Sequence, residues 1–279
     1  MILRQPAVAG RLYPKDREDL NSVLEPLIRG PREEKDIIGC VVPHGMYAYC
    51  GKTQARAYMA LGNGDFTFVI LGTNHYGAGP KASIMTSGKW RTPLGDYPIN
   101  NDIAVEIKSE SGIAEDIESH SREHSIEVQL PWLQKLFPRS SFVPISIGRL
   151  SLDEMASLGK SISKVSVGRR VVVMASSDFT HYGEVYNHVP VKGDIDEILE
   201  YVEGIDRQAA QRITALDPRG FVDFVETHNM NICGYAPIAT MLFSVEEWAY
   251  RASVLDYSTS YPVSKSKDSI VGYCSIAVE

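Results

Sequence analysis

Three histidines follow three predicted β-strands at the point where each strand ends. They are His44 after residues 37–42, His75 after residues 66–71, and His181 after residues 170–175. If these strands are parallel neighbours, their carboxyl ends open on one edge of a sheet, where ligands bind in open α/β folds. A single loop histidine is usually solvated or hydrogen-bonded, but three in the same placement favour a shared site. Imidazoles there would bind a metal ion or transfer protons.

Cys233 is the cysteine whose position indicates chemistry. It lies just before a predicted helix that begins at Tyr235, where unpaired amide groups stabilise a thiolate and favour metal binding or nucleophilic attack. A buried, inert thiol is the alternative interpretation. The remaining cysteines lie in strands or beside tyrosines and are expected to be packing residues: Cys40, Cys50 and Cys274. Four cysteines without a Cys-x-x-Cys pair exclude a disulfide framework.

Other polar residues are expected to complete the site. Glu123 and His124 stand at the entrance to a predicted helix and would face the same cavity, which Tyr47 would also line. Asp178 shares a loop with His181. The other histidines lie in polar contexts and are expected to be solvated: His120, His188 and His228.

The composition excludes several classes of protein. The 279 residues include 28 basic and 35 acidic side chains, a net charge of −7, without the basic cluster typical of nucleic-acid binding. Hydrophobic residues make up 44% and charged residues 23%, as in globular chains. The first ten residues lack a secretory pattern, and no apolar run approaches the roughly 20 residues of a membrane span. We therefore expect a cytoplasmic protein that binds neither nucleic acid nor membranes.

Short apolar runs alternate with longer amphipathic segments along the chain. Buried strands are predicted at 37–42, 66–71, 142–147 and 170–175. Helices are predicted at 16–28, 53–61, 102–110, 125–137, 152–163, 194–226 and 235–249, with a hairpin at 84–98 and two closing strands at 252–257 and 270–278. Helical crossovers imply parallel strands. The sequence thus predicts an α/β fold: a single three-layer α/β/α domain over residues 1–279 with a mostly parallel, mixed sheet.

Six short motifs stand in order along nearly the whole chain. They are PAVAGRLYP at 6–14, PH at 43–44, NH at 74–75, EHSIEVQLP at 123–131, SSDFTHY at 176–182 and CG at 233–234. No single motif is specific, but the ordered set resembles the Memo family, whose members are related to class III extradiol dioxygenases.

The resemblance implies a fold like the dioxygenase catalytic subunit, with a cavity at the sheet edge. It also implies that His44, His75 and Cys233 are metal ligands and that Asp178 and His181 line the same pocket. Two imidazoles and a thiolate suit a borderline or soft cation. Iron is the expected cofactor, with copper or zinc as alternatives.

Two motifs depart from the family pattern. The usual string His-Ala-Gly-Tyr is replaced by residues 44–47, His-Gly-Met-Tyr, which moves the flexible position by one residue and adds a bulky thioether. Thr73 stands where family members often have proline. The shape of the pocket mouth is therefore expected to differ from the family pattern.

Three functions follow as hypotheses. In the first, the protein is a non-haem, dioxygenase-like oxidoreductase in which His181 donates or accepts a proton and Asp178 orients the His181 ring or a bound water. Cys233 then replaces the carboxylate usual in such iron sites. In the second, the site is vestigial and the protein is a peptide- or metal-binding adaptor, because a eukaryotic relative resembles an adaptor for phosphotyrosine peptides. The third is cysteine-dependent hydrolysis. Expected partners are a small-molecule or peptide ligand and, by family analogy, a radical-SAM protein.

Overall fold

The strands and helices alternate along the chain. The computed structural model describes residues 2–33 and 35–279. Its strands are β1 (Leu3–Arg4), β2 (Gly39–Val42), β3 (Thr67–Thr73), β4 (Ala82–Ile84), β5 (Lys89–Thr92), β6 (Gly95–Pro98), β7 (Ala114–Glu115), β8 (Ser141–Ile147), β9 (Val171–Ser176), β10 (His181–Tyr182), β11 (Ala252–Thr259) and β12 (Ile270–Val278). Its helices are α1 (Arg17–Leu27), α2 (Tyr47–Ala60), α3 (Asn101–Ser111), α4 (Glu118–Ser121), α5 (Leu130–Leu136), α6 (Leu152–Ser166), α7 (Ile195–Thr214), α8 (Pro218–Thr227), α9 (Tyr235–Val245) and α10 (Tyr261–Ser264).

The centre of the main sheet is parallel and its flanks are antiparallel. The strand order is β10-β12-β2-β9-β3-β8-β4-β7, and β11 also pairs with β12. Strands β2, β9, β3 and β8 run parallel, whereas β12 is antiparallel to β2 and β11, and β4 is antiparallel to β8. The two predicted closing strands are present as β11 and β12, which pair antiparallel. The predicted hairpin is present as β5 and β6, but it joins β1 in a separate three-stranded sheet.

Helices cover both faces of the main sheet, which gives the α/β/α layering expected from the sequence. Helix α2 packs on β2, β11 and β12 with α1 and α5 against it, whereas α9 packs on β2, β3 and β9 with α6 behind it. Strands β2 and β12 are buried throughout. The central strands are mostly apolar because both of their faces are covered. In the described part of the chain, no helix is long and apolar enough to cross a membrane.

Helix boundaries differ from the predicted ones where ordinary capping signals are missing. Helix α2 begins at Tyr47 rather than at residue 53, after Met46, whose side chain makes no capping hydrogen bond. The helix predicted at 125–137 divides into a 3₁₀ turn and α5. This division places Pro131 in the first turn of an α-helix, where its missing N–H costs no hydrogen bond.

The expectation that His120 is solvated is wrong. Its side chain is fully buried, and its ring centroid lies 5.9 Å from that of Trp90. Burial lowers the pKa of this imidazole to about 4. Its polar neighbours in sequence give no sign of this, because the ring contacts Trp90 on β5 of the small sheet and Pro144 on β8 of the main sheet, both distant in sequence. His228 is exposed, as expected, whereas His188 is partly buried.

Candidate metal centre

Adjacent parallel strands bring the predicted site loops to one edge of the sheet. Strand β9 lies between β2 and β3, with Val42 opposite Ser176 and Leu71 opposite Ala175. The carboxyl ends of the three strands are therefore neighbours. The loops that follow them meet at this edge, as the sequence predicts.

Three imidazoles form the centre of the candidate site. Ring nitrogens of His44, His75 and His124 lie within 4.8 Å of one another. His75 and His124 stack with ring centroids 4.5 Å apart, and the ring of His44 stands nearly perpendicular to both. The cluster can hold a metal ion. His124, expected to line the pocket, is thus a candidate ligand that sequence reasoning missed.

Cys233 approaches these imidazoles from the residue pair that precedes α9. Its Sγ lies 3.2 Å from Nε2 of His44 and accepts a hydrogen bond from the Asp178 backbone amide at 3.3 Å. Gly234 permits the approach, because a Cβ at that position would lie only 2.5 Å from Cβ of Ser177. The structure therefore brings together the two histidines and the cysteine that the family resemblance assigns as ligands.

Glu123 fixes the outer side of His75. Its carboxylate lies 2.9 Å from Nδ1 of His75 and accepts hydrogen bonds from the backbone amides of His75, His124 and Ser125. Burial alone would raise the pKa of Glu123, but the hydrogen bond and charge of His75 lower it to about 2. Burial would lower the pKa of His75, but hydrogen bonds with Cys233 and Glu123 raise it to about 10. A carboxylate on the outer nitrogen directs Nε2 towards a metal.

Ser176 fixes the tautomer of His44. The Ser176 hydroxyl donates its proton to the Ser125 carbonyl at 2.6 Å and accepts from Nε2 of Gln129 at 2.8 Å. Nδ1 of His44 lies 3.1 Å from the same oxygen and must donate to it, because the hydroxyl has no second proton. Burial lowers the pKa of His44 well below its usual range, so the ring is neutral. Its free lone pair is therefore on Nε2, the nitrogen that faces Cys233.

Replacing Ser176 with alanine is expected to lower zinc affinity about 10- to 100-fold, the usual effect of removing a hydrogen-bond partner of a metal ligand. The variant leaves Nδ1 of His44 without an acceptor, so the tautomer is no longer fixed. Competition titration against a chromophoric chelator measures the change. Ser146→Ala is the matched control, because Ser146 is a fully buried serine on β8 whose hydroxyl has no partner among the described residues. Equal affinities in the two variants would contradict the assigned role of Ser176.

Asp178 and His181 lie near the imidazoles, but Asp178 does not orient the His181 ring as expected. Asp178 Oδ1 accepts hydrogen bonds from the backbone amides of His44 at 2.7 Å and Gly45 at 3.1 Å, so it holds the loop after β2. Asn231 holds the backbone of His181, whose Nδ1 is buried without a hydrogen-bond partner among the described residues. Burial raises the pKa of Asp178 to about 6 and lowers that of His181 to about 4.

Tyr47 lies beneath the site rather than at its mouth. Its side chain is buried, and its hydroxyl donates to the Val128 carbonyl at 2.6 Å. Its ring packs against those of Tyr13 and Trp132. The expected lining role is therefore replaced by a packing role, because α2 begins at Tyr47 and its side chain packs towards α5.

Gly45, where the family pattern has alanine, accommodates a tyrosine from β12. A Cβ at residue 45 would lie 2.8 Å from Cε1 of Tyr273, a separation that real Cβ atoms do not adopt. Met46 takes the capping position before α2. The altered motif is thus matched by close packing of Tyr273 against the His44 loop.

One pocket adjoins the candidate ligands. It has a volume of about 530 Å³ and is lined by the carboxyl ends of β3 and β8, the loop at 77–81 and the residues that begin α9, including His75 and Cys233. We call it the β3–β8 pocket. Its volume is within the range of small-molecule sites. Another hollow, of about 440 Å³, lies at the amino ends of the strands, beside residues 35–38 and 169–171, away from the imidazoles.

The chain is similar in sequence to known proteins over nearly its whole length. The family model described as Memo-like protein matches residues 4–277. MEMO1 family proteins of Thermococcus kodakarensis and Thermoplasma volcanium are each 38% identical to this chain, covering 99% of it and 99% and 98% of their own lengths. A MEMO1 family protein of Pyrococcus abyssi is 37% identical, with 99% of both chains covered.

A solved structure also resembles this chain. It is an uncharacterized protein of Escherichia coli K12, with a TM-score of 0.52 over 87% of this chain and 100% of its own. At 13% identity, the likeness shows the fold alone. The match over nearly the full length and the similar relatives place the sequence in a family: the chain belongs to the Memo-like proteins.

Proposed function

We propose that this chain is a dioxygenase-like oxidoreductase that binds non-haem iron through His44, His75 and Cys233. The observation that carries the proposal is the convergence of two imidazoles and a thiol at one edge of the sheet, with Nε2 of His44 3.2 Å from Sγ of Cys233. His124 supplies a further nitrogen donor in the same cluster. Nitrogen and sulfur donors favour iron, copper or zinc over magnesium and calcium.

The side chains around the ligands would bind the metal firmly and handle protons. Glu123 and Ser176 hold the outer nitrogens of the two histidines, which keeps the inner nitrogens directed towards one point. Iron, when bound, would supply the redox chemistry that these side chains do not provide. His181 is neutral at pH 7, because burial lowers its pKa to about 4, and it would accept a proton from a phenolic hydroxyl of the substrate.

Oxygen uptake after anaerobic loading with ferrous iron tests this function. We expect uptake with catechol or a related phenol, and a loss of about 10²- to 10⁴-fold in turnover for His181→Ala at unchanged iron content, as is usual when a general base is removed. His228→Ala is the matched control, because His228 is an exposed histidine at the end of α8. It should retain full turnover.

Two results would overturn parts of the proposal. No uptake with any phenol, together with tight binding of a phosphotyrosine peptide, would support the non-catalytic adaptor function instead. Full turnover in His181→Ala would remove that residue from proton transfer while leaving the metal assignment intact.

A further inference from the structure

The charged side chains in the lining of the β3–β8 pocket are basic, although the protein as a whole is acidic. The chain carries a net charge of −7, yet the described residues that line this pocket include Arg149 and Lys81 and no aspartate or glutamate. Local charge of this kind attracts anions whatever the sign of the whole molecule. The pocket therefore differs from the rest of the protein in the ligands that it favours.

Lys81 and Arg149 differ in whether an acidic side chain already pairs with them. The ammonium group of Lys81 is paired with Glu154 at 3.1 Å, so much of its charge is already neutralised. Arg149 is exposed two residues after the end of β8, and it forms no ion pair with an acidic side chain among the described residues. An unpaired guanidinium presents a planar set of donors that fits two oxygens of a carboxylate or a phosphate.

The position of Arg149 relates it to the candidate metal ligands. Arg149, His75 and Cys233 line the same cavity of about 530 Å³. Tyr235, at the start of α9, also lines the cavity, and Arg149 is near enough to lower the pKa of its phenol against the opposite effects of burial and Glu226. A small ligand held by Arg149 would thus lie in the cavity that His75 and Cys233 line.

We propose that the β3–β8 pocket binds a small anionic molecule, with Arg149 holding its carboxylate or phosphate group and the remainder of the molecule directed towards His75 and Cys233. The volume of the pocket favours a small molecule over a macromolecular segment. The inference rests on the proposed function for the reaction that such a ligand would undergo, whereas the binding itself requires no turnover.

Binding to the zinc-loaded protein tests the proposal without redox chemistry. The probes are 3,4-dihydroxybenzoate, its neutral analogue 3,4-dihydroxybenzamide, and phenyl phosphate, measured by isothermal titration calorimetry. We expect at least one anionic probe to bind about ten-fold more tightly than the amide, the effect of a charge-assisted hydrogen bond. Whichever anionic probe binds more tightly then shows whether Arg149 prefers a carboxylate or a phosphate group.

Variants of Arg149 test whether this residue causes the preference for anionic over neutral probes. Arg149→Gln should abolish the preference for the anion and Arg149→Lys should retain part of it. Arg56→Gln, an exposed arginine on α2, is the control and should leave the preference unchanged. Absence of any preference in the unmodified protein, failure of every anionic probe to bind, or a preference that survives in Arg149→Gln would overturn the proposal. Absent oxygen uptake alongside an Arg149-dependent preference would overturn only the oxidoreductase assignment.

Discussion

Replacing His44 with alanine is expected to abolish metal binding, with a loss of affinity greater than about 100-fold, because even a hydrogen-bond partner of a ligand contributes 10- to 100-fold. His44 is buried, its tautomer is fixed by Ser176, and its Nε2 lies 3.2 Å from Sγ of Cys233. Removing the ring takes away the nitrogen donor that lies beside Sγ of Cys233. Elemental analysis of the desalted protein after loading with ferrous iron measures the loss.

The control for this experiment is His181→Ala, which removes a second histidine from the same sheet edge. Because His181 is assigned to proton transfer and not to the metal, this variant should retain its full metal content. Retention of all metal by His44→Ala would contradict the ligand assignment. Equal metal loss in both variants would indicate that the loops are held together by packing around both histidines.

Replacing Glu127 with glutamine is expected to lower the free energy of unfolding by about 3–5 kcal/mol, as when one member of a buried ion pair is removed. Glu127 is fully buried and forms an ion pair with Arg4, which is also buried. The same carboxylate accepts hydrogen bonds from the Val8 backbone amide and the Tyr13 hydroxyl. It therefore joins the PAVAGRLYP motif to the helix entrance that carries Glu123 and His124.

Urea denaturation of the unmodified protein and of Glu127→Gln measures this loss of unfolding free energy. Glu203→Gln is the matched control, because the exposed pair of Glu203 and Arg207 is a surface ion pair that contributes at most about 1 kcal/mol. A change below 1 kcal/mol in Glu127→Gln would mean that the buried network does not hold the amino-terminal segment in place. Arg4 also donates to the backbone carbonyl of Glu123, so we expect weaker metal binding in the glutamine variant.

The sequence predicts the central sheet well because its strands leave a strong local signal. A parallel strand covered on both faces is expected to be apolar along its length, and residues 68–71 and 171–175 satisfy that condition. The side chains placed just after such strands can be expected at the carboxyl edge, which is how His44 and His75 are found. These predictions require only the strand ends and their direction.

Contacts made between distant segments leave no such signal. Ser176 belongs to an apolar strand, and its role depends on His44 and Gln129, which approach from other elements. His124 enters the imidazole cluster because the Glu123 carboxylate accepts hydrogen bonds from the backbone amides of His124 and Ser125 and also from that of His75, which lies on another loop. Sequence shows the residue types at these positions, but only the packed structure shows which atoms meet.

The measurement that tests the central claim most directly is X-ray absorption at the zinc edge of the zinc-loaded protein. We expect one sulfur ligand at about 2.3 Å and at least two nitrogen ligands at about 2.0–2.1 Å, and we expect the sulfur ligand to be lost in Cys233→Ser. A third nitrogen ligand at the same distance would identify His124 as an additional ligand. A ligand shell of nitrogen and oxygen without sulfur would contradict a metal centre built from His44, His75 and Cys233.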